Sequence, residues 1–112
     1  MFAAAGILLL PSLGIAAGKE HNLNIAKGKE LAYDMVKGNC LACHAIEDGE
    51  LPGNFGPPLI QMKARYPKKQ ALYDKIRDAT KSNPKSIMPP FGKHGILTKD
   101  ELNLVVDYIY SL

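Results

Sequence analysis

Strand-like alternation of apolar and polar residues is missing from this chain of 112 residues, so no part of it reads as a sheet. Cysteine is almost missing: Cys40 and Cys43 are the only two. There is no second cysteine pair and no His-x3-5-His run, so a four-ligand zinc site cannot be assembled from sequence alone. Positive charge is absent from Met1 to Gly18. That stretch is apolar, but Gly6, Pro11 and Gly14 interrupt it, and it is too short and broken for a membrane span. Basic residues are nowhere interleaved with stacking aromatics and no DNA-binding motif occurs, which argues against nucleic acid as a partner.

The uncharged start, FAAAGILLLPSLGIAAG, has the character of the apolar region of a secretory leader. Gly14-Ile15-Ala16 offers a small-x-small cleavage site. No Lys or Arg precedes it, so either the true start lies upstream or the leader is atypical; a retained membrane anchor is the alternative. Residues 1–17 are therefore set aside as a signal peptide or its remnant, and 18–112 are read as one domain exported to the periplasm.

Charge is distributed unevenly behind the formal net of +3. Between Gln61 and Lys93, nine basic side chains face only Asp74 and Asp78, a net of +7, while the remainder has five basic against nine acidic, a net of −4. One reading is a solvated helix face. The other is a basic docking surface that steers a negatively charged protein partner.

Helical periodicity organises the rest. Lys19 to Asn24, with His21, reads as a polar lead-in. A first helix is expected from Ile25 to Lys37, with Ile25, Leu31, Ala32, Met35 and Val36 on its buried face and Gly38 as its C-cap. Gly28 costs this helix about 1 kcal/mol relative to Ala, and close packing against another helix would account for it. From Ala45 to Leu59 the turn residues Asp48-Gly49, Pro52-Gly53 and Gly56-Pro57-Pro58 mark a loop. A short helix is expected over 60–66, halted by Pro67, and a longer one over 68–81, burying Leu72, Ile76 and Ala79. The stretch SIMPPFGKHGIL is irregular. Thr98 and Glu101 form a capping box, and Leu102, Val105, Val106, Ile109 and Leu112 give the stripe of a core-facing final helix. The fold class is all-α, with three to four helices and long loops suited to wrapping a flat cofactor.

That cofactor is written in Cys40-Leu41-Ala42-Cys43-His44. A Cys-x-x-Cys-His run is the attachment sequence of a c-type haem. Two thiols at this spacing each add to one vinyl group, and the following imidazole becomes the proximal iron ligand. A redox disulfide would call for a βαβ context that is absent. With both cysteines engaged, no thiol remains for other chemistry. A metal-bound His gives its second ring N–H to an acceptor, and the Pro57 carbonyl is the candidate. For the distal face the candidates are Met35, Met62, Met88, His21 and His94. Met35 and Met62 read as core on apolar helix faces. Met88 sits in a proline-stiffened loop far enough from His44 to reach the opposite face, and a thioether there raises the reduction potential. It is favoured over His94, which would lower it.

Helix, Cys-x-x-Cys-His, Gly-Pro-x-Leu, a later Met-Pro and a terminal amphipathic helix together resemble the class I monohaem cytochromes c over residues 25–112. The resemblance implies one covalent haem c at Cys40 and Cys43, His44 and Met88 as axial ligands, and Pro57 as the acceptor for His44. It also implies that the first helix crosses the last, with Gly28 against the Val105–Tyr108 turn. More narrowly, GNCLACHAI, GELPGNFGPPL, MKARYP, SIMPPFGKHGILT and VVDYIYSL are similar to the SoxX subunits of bacterial sulfur-oxidation systems. That family implies a heterodimer with a SoxA-type cytochrome, the pair acting as an L-cysteine S-thiosulfotransferase that couples thiosulfate to a cysteine of a SoxYZ-type carrier. This chain would then hold no catalytic residue and would pass electrons to a small c-type cytochrome. The rivals are a free-standing periplasmic electron carrier and a ligand-binding haem with an open distal site.

Overall fold

The computed structural model describes residues 2–9 and 13–112. Among them there are four α-helices and no strand: α1 (Leu13–Tyr33), α2 (Met62–Arg65), α3 (Lys69–Arg77) and α4 (Lys99–Tyr110), with 3-10 turns at Cys40–Ala42 and Ala79–Lys81. No described helix is long and apolar enough to cross a membrane. The parts of the expected leader that fall on Met1 and on residues 10–12, Pro11 included, lie outside the described residues.

The core is built where α1 crosses α4. The inward side chains of α4, Leu102, Val105, Val106, Tyr108 and Ile109, are all buried, each aliphatic one contributing about 1.5–3 kcal/mol. The crossing is close because α1 presents Gly28 there. A Cβ on Gly28 would lie 2.0 Å from the Leu104 carbonyl oxygen and 2.8 Å from Tyr108 Cβ. One turn further along, Ala32 is fully buried and the Tyr33 and Tyr108 rings meet at 6.5 Å. The expected role of Gly28 is thus borne out, one residue wider than the turn it was matched to. α4 starts at the expected capping box: Thr98 Oγ1 accepts from Glu101 N at 3.2 Å and Glu101 Oε1 accepts from Thr98 N at 3.0 Å. α3 lays Leu72 and Ile76 on the same core. It ends at Arg77, not Lys81, because Asp78 is fully extended and the chain resumes as a 3-10 turn burying Ala79. The short helix spans 62–65 instead of 60–66, since Gln61 before it is left-handed at φ 51°.

Two expectations about α1 need correction. The helix begins at Leu13, so Lys19 to Asn24 is helical and not a lead-in, although every residue from Gly14 to Leu23 is exposed. Once the inner half is packed, extension outward needs no new nucleus and follows propensity. The helix also stops at Tyr33, four residues early. Asp34 Oδ1 accepts from Val36 N at 2.8 Å, a side-chain bond that competes with the helical ladder. Gly38 N then closes back on Leu31 O at 3.0 Å. Met35 and Val36 consequently point to water, 82% and 85% exposed, instead of joining the core.

A second set of ties joins loops to the helix pair. Glu47 Oε2 accepts from the buried Tyr108 hydroxyl at 2.8 Å and from Lys29 Nζ at 3.0 Å, while Tyr33 Oη donates to Ile46 O at 3.1 Å. Lys37 pairs with Glu101 at 3.1 Å, and Lys69 with Asp107. The Tyr108 and Lys29 donors hold the Glu47 carboxyl below its ordinary value of 4.5.

Two outcomes follow from this packing. Gly28→Ala is expected to cost at least about 1–3 kcal/mol by overpacking, read as a lowered Tm, whereas Gly18→Ala, whose Cβ would meet nothing within 4 Å, leaves Tm unchanged or slightly raised. Because the folded pKa of Glu47 is depressed, its contribution is fully present above pH 4.5 and is lost as pH falls through the lower folded value. The Tm difference between the parent and Glu47→Gln should therefore be constant from neutral pH down to about that point and shrink below it.

Candidate functional site

The Cys-x-x-Cys-His run folds locally. Cys40–Ala42 is a single 3-10 turn, with Cys43 N and His44 N both donating to Cys40 O at 3.2 and 3.0 Å. That turn puts both sulfurs and the imidazole on one wall of a cavity of about 460 Å³, which continues into a second lobe of about 240 Å³. The size is that of a small-molecule or cofactor site, about 300–1,000 Å³. The thiols are free. Burial pushes the Cys40 thiol up to about 11. Among the described residues no group of three or more Cys, His, Asp or Glu gathers around a metal position, which leaves the zinc reading without ligands.

His44 is held by the loop that follows it. Its Nδ1 lies 2.6 Å from the Pro57 carbonyl oxygen. A carbonyl only accepts, so Nδ1 is the donor in this contact, and in the neutral ring Nε2 is then the nitrogen with the lone pair. The loop is brought back by Gly53 N to Leu41 O at 2.9 Å, Gly56 N to Cys43 O at 2.8 Å and Leu59 N to Ala45 O at 2.9 Å. Gly56 lies flat against the ring: a Cβ there would be 2.2 Å from His44 Cε1.

Met88, half-buried, lines both lobes together with Cys40, His44 and Pro57. The chain segment carrying it enters from the turn at Ala79 and leaves through Pro89, Pro90 and the buried Phe91. The structure thus brings Cys40, Cys43, His44, Pro57 and Met88 to one cleft. Of the other distal candidates, Met35 and His94 are exposed and His21 lies on the exposed part of α1; none of the three lines either lobe. Met62 is buried as expected, with its sulfur accepting from Arg65 Nη1 at 3.3 Å.

Sequence reasoning missed two contributors, Phe55 and Ile87, while Lys75 and Lys85 belong to the basic segment that one of its two readings made a docking surface. Phe55 and Ile87 stand exposed on the cavity wall, and Lys75 and Lys85 bring part of the basic segment to it. The charge excess from 61 to 93 was the available signal for the lysines. Nothing in the local sequence distinguished Phe55 and Ile87 from core residues.

The family model for cytochrome c matches residues 25–112. The chain belongs to the cytochrome c family. It is accordingly an all-α, class I cytochrome c-like electron-transfer haem protein carrying covalently attached haem c, and Cys40 and Cys43 fit the attachment motif. The cleft suits that group: two thiols at the attachment spacing, an imidazole held by the Pro57 carbonyl and a thioether line largely apolar walls. The chain is also similar to an uncharacterized lipoprotein of Aquifex aeolicus (strain VF5), 35% identical over 74 residues, which are 65% of this chain. The match spans only 36% of that protein's length.

Gly56→Ala should displace the His44 ring. We expect a lowered haem-to-protein ratio after maturation and a lower Tm, measured by the pyridine haemochrome spectrum and thermal unfolding; a fully loaded, equally stable variant would contradict the packing described.

Proposed function

We propose that this cytochrome is the electron-accepting, SoxX-type subunit of a periplasmic sulfur-oxidation complex. In this reading Cys40 and Cys43 would carry the two thioether links, and His44 and Met88 would supply the iron's protein ligands. The Pro57 carbonyl orients His44. The haem would supply reversible one-electron chemistry, and with His44 and Met88 both engaged no position would be left for substrate.

The observation that carries the reading is the fate of the cysteines. Both face the haem cleft and the 112 residues hold no third, which agrees with a division of labour in which the sulfur-handling thiol lies outside this domain. A SoxA-type cytochrome would provide it, a SoxYZ-type carrier would receive the thiosulfate sulfur, and a small c-type cytochrome would take the electrons onward. The runs from GNCLACHAI to VVDYIYSL support this assignment. Export is supported by the uncharged apolar start and by the relative that is described as a lipoprotein. Lys75 and Lys85, beside the exposed Phe55 and Ile87, favour a docking face for an apolar, acid-rimmed partner.

The test is co-purification of the haem-loaded protein from thiosulfate-grown source cells. A second cytochrome should accompany it, and the pair should couple thiosulfate to a carrier thiol while this haem is reduced. A protein that elutes alone and is not reduced by thiosulfate in the presence of that cytochrome and carrier would leave the free-standing carrier as the function.

A further inference from the structure

The loop that carries Met88 is drawn together at its neck. The Arg77 carbonyl accepts from two backbone donors on the far side, Gly92 N at 3.1 Å and Lys93 N at 3.2 Å. Gly92 is pressed so close that a Cβ would lie 2.6 Å from Arg77 Cγ and 2.9 Å from Leu102 Cδ2. The neck is therefore packed directly on α4.

Beside this junction lies Asp78, 2% exposed and the one charged side chain buried among the described residues. Its Oδ1 accepts from Thr80 N at 3.1 Å and from the Thr80 hydroxyl. Its Oδ2 lies 3.7 Å from Lys93 Nζ. The Thr80 donors, with Lys93 behind them, hold the carboxyl below the usual carboxylate range. One side chain thus grips the strand entering the loop through Thr80 and the strand leaving it through Lys93. Capping a three-residue 3-10 turn does not require a charge, since Asn or Ser serves equally well. Burying a carboxylate is costly unless it is fully partnered, so a neutral cap would be the cheaper choice if capping were its whole task. Between the two gripped strands the segment bends by short local bonds, with Ser86 N on Asn83 O at 2.9 Å and Met88 N on Ser86 Oγ at 3.3 Å. These bonds shape the loop between its two ends.

We propose that Asp78 is a positioning residue for Met88, holding both strands of the loop neck so that the thioether stays opposite His44 across the cleft. The inference deepens the reading of Met88 as the distal iron ligand and rests on it. When the grip is lost, the helices persist but the Met88 loop opens more often, and the thioether competes less well with an added ligand.

The experiment uses the full haem-loaded chain and four variants: Asp78→Ala, Asp78→Asn, Lys93→Gln and Met88→Ala. Two readouts are followed in the ferric protein, the far-red absorption band of a thioether-bound haem and the concentration of added imidazole that displaces it. Helix content is checked by circular dichroism. Asp78→Ala is expected to weaken the band and to lower the displacing imidazole concentration by about tenfold or more, the scale of one lost hydrogen bond to a charged group. Asp78→Asn, which keeps an acceptor for Thr80 but no charge for Lys93, and Lys93→Gln should both fall between that variant and the parent. Lys93 is well exposed, so its substitution reports even if Asp78→Ala fails to accumulate. A band lost in Met88→Ala but unchanged, with unchanged imidazole affinity, in the Asp78 and Lys93 variants overturns the clamp alone. A band that survives in Met88→Ala overturns the ligand reading and the clamp with it.

Discussion

The contact between His44 Nδ1 and the Pro57 carbonyl, at 2.6 Å, is the constraint around which the site is arranged. It selects the tautomer, turns the ring, and leaves Nε2 as the free nitrogen. Four backbone features serve it. Gly53 and Gly56 fold the loop back onto the attachment turn through Leu41 O and Cys43 O, Gly56 admits the ring edge, and Pro57 and Pro58 limit how far the carbonyl can swing. A carbonyl from a stiff segment is a better acceptor here than a side chain, which would lose rotamer freedom on being fixed.

The two walls of the cleft are held by different physics. The wall with Cys40, Cys43 and His44 is local: a 3-10 turn and a returning loop place all three groups within a few residues of one another in sequence. The wall with Met88 is long-range. It depends on α3 and α4 being packed together, on Phe91 being buried in the core and on the neck at Arg77 and Gly92. Loops far from regular structure pay conformational entropy to be fixed, and here a buried carboxylate and a crowded glycine supply that fixation. The crossing of α1 over α4 underlies both walls, because the α1–α4 pair carries the Glu47–Tyr108 and Lys37–Glu101 ties to the loops.

Electrostatics separate the faces of the molecule in a way that suits transfer of electrons between proteins. Basic side chains concentrate in α2, α3 and the Met88 loop, and two of them, Lys75 and Lys85, reach the cleft itself. The acidic excess lies elsewhere, with several of its members already paired inside the protein, Glu47 with Lys29 and Glu101 with Lys37. Lysines with no carboxylate partner among the described residues, beside an apolar rim, raise association rates with an acidic partner without tying up much binding energy, and a carrier that must release its partner needs that balance.

The amino-acid sequence by itself determined the haem attachment, the helical class, the capping box of α4 and its buried stripe, and the need for a close helix crossing at Gly28. All of these rest on residue spacing or on a single residue's intrinsic limits, which are local properties. The tertiary structure alone decided where α1 ends, because Asp34 takes a backbone N–H that helix propensity would have given to the ladder. It turned Met35, which the helical pattern had placed on the buried face beside core residues, out to solvent. It also buried Asp78 and left Phe55 and Ile87 exposed. Burial depends on which segments meet across the whole chain, and the free energy of a side chain against water or protein is set only when those neighbours are in place.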